Sequence, residues 1–257
     1  MTKYLVAERF KSLQGEGVYA GTPMAFIRFV GCSVGKKICQ HCDTVFEKML
    51  PWQGGGSFSP GELHDWVQGP PPYEHVCLTG GEPLDQQLTD LLDCFAQRSA
   101  PMIHLETSGT KVEELLQHFK VLCDTSSLKS WICVSPKPGF LEEAVLAADE
   151  VKVIVPGLGT PESLRALRVA TERALLVGTV THQGPPPGHE YATRDDFRWP
   201  ELSDALRWAD NGKIVFLQPR NETLSVDMHN LMIVQDILRD HPNLRLSVQM
   251  HKILKVQ

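Results

Sequence analysis

Three cysteines in one short stretch are the residues of this chain best equipped for chemistry. From Phe29 to Thr44 it reads Phe-Val-Gly-Cys-Ser-Val-Gly-Lys-Lys-Ile-Cys-Gln-His-Cys-Asp-Thr. Cys32, Cys39 and Cys42 follow an apolar run, and thiolates this close are soft ligands for zinc or an iron–sulfur cluster. No fourth cysteine follows at ligand spacing, so a cluster held here keeps one iron open to another ligand. Cys77, Cys94, Cys123 and Cys133 stand singly in apolar runs and read as small buried hydrophobes.

Further polar groups recur at the ends of apolar segments. Leu13-Gln14-Gly15-Glu16-Gly17 is a turn whose backbone can approach a ligand closely. Arg28 interrupts the apolar run Met24–Val30, where a guanidinium must be paired, for instance with Glu16, or must reach a ligand carboxylate. Thr79-Gly80-Gly81-Glu82-Pro83 follows a short apolar run; its glycines expose backbone groups, and Glu82 offers a carboxylate to an ammonium.

The elements that must position these groups follow from periodicity. Strands are expected at 24–30, 75–78, 102–106, 131–134, 151–155, 174–180, 213–217 and 244–248. Helices are expected between them: after the Ser59-Pro60-Gly61-Glu62 capping box, on the stripe Leu88, Leu91, Leu92 and Phe95, at 111–119 and 141–148, and after Thr160-Pro161. A last helix carries Met228, Leu231, Val234 and Leu238. Strands alternating with helices make an α/β fold with a mostly parallel sheet, whose site lies at the strands' carboxyl ends. The 257 residues suit one domain spanning 1–257, with surface excursions at 51–60 and 181–200; His182 and His189 in the latter read as solvated.

Bulk properties exclude some classes. A formal net charge of −6 argues against a nucleic-acid surface. No apolar run reaches membrane-spanning length and no signal peptide is evident, so a reducing cytoplasm is the expected compartment.

The cysteine loop with Gly80-Gly81-Glu82-Pro83 resembles the radical S-adenosylmethionine superfamily. The ordered set Leu13–Gly17, Arg28, Gly31-Cys32, Cys42-Asp43-Thr44, Thr79–Leu84, Glu106–Gly109, Ser135-Pro136-Lys137, Phe216–Pro219 and Gln249–Lys252 is similar to the 7-carboxy-7-deazaguanine synthase family, from about Phe10 to Gln257. The cysteine spacing, C-x6-C-x2-C, is longer than the superfamily's usual C-x3-C-x2-C. The resemblance implies a partial, modified TIM-type barrel of parallel strands and a lyase. That lyase contracts the ring of 6-carboxy-5,6,7,8-tetrahydropterin with loss of ammonia, in deazapurine biosynthesis of the queuosine type. It implies a [4Fe-4S] cluster on Cys32, Cys39 and Cys42, and a magnesium ion at Thr44. S-adenosylmethionine is implied at His41, Cys42, Asp43, Gly80, Gly81, Glu82, Ser108, Ser135, Pro136, Lys137 and Gln218. Substrate is implied at Leu13, Gln14, Gly15, Glu16, Arg28, Thr79 and Gln257. A flavodoxin- or ferredoxin-type electron donor and a homodimer come with the same resemblance.

Two other readings stay open. One is a different small radical S-adenosylmethionine enzyme, such as a glycyl-radical activase; Gln14, Glu16, Arg28 and Thr44 count against it. The other is a non-enzymatic zinc site of Cys32, Cys39, Cys42 and His41. Adjacent His41 and Cys42 suit one tetrahedron poorly, and zinc gives no reason for the Gly-Gly-Glu-Pro turn.

Overall fold

The structure, a computed structural model, describes residues 2–39, 42, 44–98, 101–111, 113–155, 199–220 and 227–254, without the side chains of 113–117 and 120. The expected helix start at Thr160, the strand at 174–180 and the excursion from 181 to 198 lie outside the described residues, as do His41, Asp43 and Gln257.

Nine strands form one sheet. They are β1 (Tyr4–Leu13), β2 (Pro23–Phe29), β3 (Gly56–Phe58), β4 (His75–Gly80), β5 (Met102–Thr107), β6 (Lys129–Val134), β7 (Glu150–Val155), β8 (Ile214–Pro219) and β9 (Arg245–Leu246). The helices are α1 (Pro60–Gln68), α2 (Thr89–Gln97), α3 (Glu113–Thr125), α4 (Glu142–Ala147), α5 (Leu202–Asp210), α6 (Met228–Asp240) and α7 (Met250–Leu254). The spatial order is β3-β1-β2-β4-β5-β6-β7-β8-β9. Every pair from β2 to β9 is parallel, while β1 runs antiparallel to both β2 and β3.

The sheet curls. β1 and β9 stand seven strand positions apart, about 34 Å if the sheet were flat at ~4.8 Å per strand. Yet the Met250 N–H donates to the Gly15 carbonyl at 2.9 Å. Gly15 lies two residues beyond β1, and Met250 four beyond β9. At ~3.5 Å per residue those connections cannot bridge a flat sheet. The result is the expected partial barrel of parallel strands, with an antiparallel edge added.

Period-two alternation then divides the side chains. Ile27, Phe29, Val76, Leu78, Ile103, Leu105, Val151, Val153, Val215 and Leu217 pack into the main apolar core, where the helices cover the sheet. Their neighbours Phe26, Arg28, Cys77, Thr79, Glu106, Lys152 and Gln218 line an interior cavity instead. The helices cover the core as their sequences require. Ser59 caps α1 in a full capping box with Glu62, Pro60 occupies the first turn, and Leu63 and Val67 are buried. On α2, Leu91, Leu92 and Phe95 are buried, with Leu88 at its N-cap.

Three expectations change. The 51–60 stretch is not a free-standing excursion: β3 pairs with β1, and a Cβ on Gly55 would lie 2.2 Å from the Ala7 carbonyl oxygen, so glycine serves close packing there. The buried face of α6 is Ile233, Val234 and Ile237, while Met228 is 63% exposed. Asp227 caps that helix, and Asn230 is tied to the Arg220 carbonyl at 2.8 Å, which sets the rotation. Residues 4–13 form a ten-residue strand, where the sequence signals only the turn at its end. No helix among the described residues is long and apolar enough to cross a membrane.

Leu78, fully buried on central β4, tests the packing. Leu78→Ala should cost ~2–5 kcal/mol of unfolding free energy, read as a lower urea midpoint at unchanged slope. A loss below ~1 kcal/mol would contradict this placement.

Candidate active site

A cavity of about 1050 Å3 is lined by residues at the strands' carboxyl ends and the loops that follow them. Of the expected site residues it takes in Leu13, Gln14, Gly15, Glu16, Arg28, Cys32, Cys39, Cys42, Thr44, Thr79, Gly80, Gly81, Ser108, Ser135, Lys137 and Gln218. Glu82 and Pro136 are not in its wall.

The cysteine arm leaves β2 at Gly31, whose positive φ of 98° glycine accepts readily. The arm is tied down by Gly31 N–H to Phe46 O at 2.9 Å, Cys39 N–H to Gly35 O at 2.9 Å and Ser33 N–H to Asp85 Oδ2 at 2.6 Å. The three thiols share the cavity wall, though among the described residues they are not gathered into one tight metal-ligating group. The Gly35 N–H donates to Cys32 Sγ at 3.4 Å. Burial pushes the Cys32 thiol up to about 11; a hydrogen bond with Cys42, then burial, raises Cys39. Thiols so placed ionise together only opposite a concentrated positive charge, so a metal cluster fits this donor set.

The glycine turn works differently from the expectation. The N–H of Gly81 faces the Phe29 carbonyl at 3.4 Å and that of Glu82 the Gly31 carbonyl at 3.0 Å. A Cβ on Gly81 would lie 2.1 Å from Gly31 O and 2.6 Å from Cys32 Cβ. The glycines therefore let β4 touch the base of the cysteine arm. Glu82 is 0% exposed and accepts from Thr107 Oγ1 at 2.7 Å, Ser108 N–H at 2.8 Å, Leu84 N–H at 3.1 Å and the Ser108 hydroxyl. It is a strut between the β4 and β5 ends, not a cavity carboxylate. Burial raises its pKa against those hydrogen bonds.

A charged network crosses the cavity. Lys152 Nζ lies 2.7 Å from Glu16 Oε2 and 2.7 Å from Glu106 Oε2. Glu16 Oε1 accepts from Gln218 at 3.1 Å and Gln249 at 2.7 Å; Glu106 Oε1 accepts from Gln14 at 3.2 Å. Burial would raise the Glu16 carboxyl, but the Lys152 ammonium, with help from Gln249 and His251, brings it down to about 2. Lys137 Nζ donates to Ser135 Oγ at 2.7 Å and to the Ser135 carbonyl at 2.8 Å.

Arg28 is paired with Glu8, not Glu16. Its Nε sits 2.7 Å from Glu8 Oε1, and Nη1 reaches Thr44 Oγ1 at 3.5 Å. In parallel register Arg28 stands beside Thr79, so a guanidinium and two hydroxyls meet in one wall.

A 7-carboxy-7-deazaguanine synthase from Synechocystis sp. is 31% identical over 257 residues, covering 99% of this chain and 94% of that one. The chain belongs to the 7-carboxy-7-deazaguanine synthase family. A Bradyrhizobium diazoefficiens member is 36% identical over 178 residues, covering 64% of this chain and 78% of that one. The crystal structure of QueE from Escherichia coli superposes with a TM-score of 0.59 at 25% identity, over 97% of this chain and 95% of that one. No protein-family profile matches the chain. Membership places the chain in the radical S-adenosylmethionine superfamily and implies use of that cofactor with a [4Fe-4S] cluster.

Lys152, Glu106, Glu8 and Gln249 also line the cavity, beyond the residues expected from the sequence. The signal that marked Arg28, a charge inside an apolar strand, was equally present in Glu150-Val151-Lys152-Val153-Ile154-Val155.

Gly81→Ala should force the Cys32 arm away from β4. Anaerobically reconstituted Gly81→Ala is expected to hold less than about half the iron of the parent chain, because a contact near 2 Å must be relieved by moving backbone. Full iron content would show that the arm is not seated on this turn.

Proposed function

We propose that the chain is a 7-carboxy-7-deazaguanine synthase that contracts the ring of 6-carboxy-5,6,7,8-tetrahydropterin with loss of ammonia, in deazapurine biosynthesis of the queuosine type. One observation carries this reading above the others: the full-length relationship coincides with a single cavity that gathers the three thiols, Arg28 and the Gln14–Glu16 turn. A structural zinc site would have no use for the second half of that set.

In this reading Cys32, Cys39 and Cys42 hold three irons of the cluster. Gly80, Gly81, Ser108, Ser135 and Lys137, with Pro136 shaping their turn, receive S-adenosylmethionine, joined by His41 to Asp43. When bound, the cluster and cofactor supply a hydrogen-abstracting radical. The remaining work belongs to the chain. Leu13, Gln14, Gly15 and Glu16 read the pterin beside Thr79. Gln218 completes the cofactor set, and its bond to Glu16 joins that set to the substrate side. The terminal Gln257 completes the substrate set by family resemblance. Arg28, oriented through Nε by Glu8 and touching Thr44 through Nη1, turns its guanidinium edge to the substrate carboxylate. Thr44 offers a hydroxyl to magnesium; a hard cation wanting six oxygens must draw the rest from substrate and water. A flavodoxin- or ferredoxin-type donor and a homodimer complete the proposal by the same resemblance.

Arg28→Ala should lower kcat/KM for the carboxylated pterin by about 10- to 100-fold, the loss expected for a charge-assisted hydrogen bond, with iron content unchanged. Unaltered kinetics would remove Arg28 from the substrate. Thr44→Ala should shift the magnesium dependence of turnover to higher concentration; an identical magnesium response would remove Thr44 from the ion.

A further inference from the structure

Lys152 has no part in the roles assigned above. It is 3% exposed, on the cavity-facing side of β7, between carboxylates from two other elements. Buried ion pairs add little to stability compared with apolar packing of the same volume. A purely structural explanation is therefore weak for a lysine whose strand neighbours Val151 and Val153 pack the core.

The bonding pattern points elsewhere. Lys152 takes one oxygen of each carboxylate, Oε2 of Glu16 and Oε2 of Glu106. The other oxygen of each accepts from side-chain amides: Gln218 and Gln249 on Glu16, Gln14 on Glu106. Those amides are thereby oriented. Gln14 Oε1 accepts from the Glu16 N–H at 3.2 Å, and Gln218 Oε1 from Ser247 Oγ at 2.9 Å. One ammonium thus fixes the rotamers of two carboxylates and, through them, the donor and acceptor directions of three glutamines around the Gln14–Glu16 turn.

We propose that Lys152 is the positioning residue for recognition of the pterin's nitrogen-rich edge. It holds Glu16 and Glu106 as fixed anionic acceptors for neighbouring ring and amino N–H donors. This deepens the proposed synthase reading and rests on it. Each carboxylate oxygen has two acceptor directions, so Glu106 Oε1, with a single amide donor here, retains capacity for a ligand N–H.

The titratable surroundings are mostly acidic. Cys133 on β6, Glu106 on β5, Glu16 after β1 and Glu150 on β7 bear on Lys152, with Lys137 beyond β6 the opposing cation. His251 on α7 bears on Glu16. Burial alone would lower the lysine, and the acidic groups together hold it well above its ordinary value. Glu16, held to about 2, stays ionised throughout the physiological range. Removing the cation leaves burial as the chief influence on Glu16, so its carboxyl rises and protonates as pH falls.

The test compares parent, Lys152→Met and Lys152→Arg as reconstituted full-length chains, with iron content and binding of S-adenosylmethionine checked first. The pterin dissociation constant, from anaerobic equilibrium dialysis, and KM and kcat are measured from pH 5.5 to 8.5. Lys152→Met is expected to raise the dissociation constant and KM about 10- to 100-fold, to change kcat less, and to bind more weakly still toward acid pH. Lys152→Arg should restore most of the affinity and the flat profile. Full affinity with a parent-like pH profile in Lys152→Met overturns the inference while the synthase reading stands. If Lys152→Met fails to hold its cluster, Glu106→Gln, which keeps the cation, carries the test: parent affinity in that variant also overturns it. A parent chain that neither binds nor converts the pterin overturns the synthase reading, and this role with it.

Discussion

A lysine ammonium on an inward strand face must be surrounded by anions, and this one requirement organises the interior. Lys152 on β7 draws Glu106 from β5 and Glu16 from the loop after β1 to 2.7 Å each. Further hydrogen bonds carry the loop after β1 across the sheet. Val18 N–H meets Glu150 at 2.9 Å, Gly17 N–H meets Ser247 at 3.4 Å, and Met250 closes on Gly15. The strand that stands apart in topology is therefore joined to the far half of the barrel by charge and hydrogen bonding rather than by a sheet ladder.

Around that centre the sheet separates two environments. One face is continuous apolar core under the helices, aromatic as well as aliphatic. The other combines polar groups with a small apolar cluster of Met24, Phe26 and Cys77. The Gly80-Gly81 turn joins the two halves of the chemistry. It brings β4 against the cysteine arm, while Glu82 behind it binds the ends of β4 and β5 together. The thiols, the Ser108 and Ser135 hydroxyls and the Glu16, Lys152 and Glu106 charges thus lie on or just beyond neighbouring strands, where small displacements of one are felt by the others.

Much of this is legible in the sequence. The alternation of apolar strands with amphipathic helices prescribes a parallel sheet, and the motif order prescribes which loops converge. What stayed hidden has physical causes. The antiparallel β1 alternates Glu8, Phe10 and Ser12 with Arg9 and Lys11, and its cations cover aromatic rings, Arg9 on Phe58 at 4.0 Å and Lys11 on Tyr73 at 4.7 Å. Such a strand reads as polar although it is half-buried. Glu82 looked like a ligand carboxylate because a sequence cannot show that a neighbouring Ser108 and Thr107 already consume its acceptors. The Glu8 partner of Arg28 is a matter of antiparallel register, Glu8 opposite Arg28, which the unrecognised strand concealed.

In the proposed function one cavity serves both a cluster-bound cofactor and a carboxylated pterin. The most direct test is a single anaerobic reaction of the reconstituted chain with 6-carboxy-5,6,7,8-tetrahydropterin, S-adenosylmethionine, magnesium and a low-potential reductant, followed by mass spectrometry and ammonia assay. 7-Carboxy-7-deazaguanine and ammonia are expected in equal amounts, with the S-adenosylmethionine recovered. Unchanged pterin beside a fully loaded cluster would contradict that function.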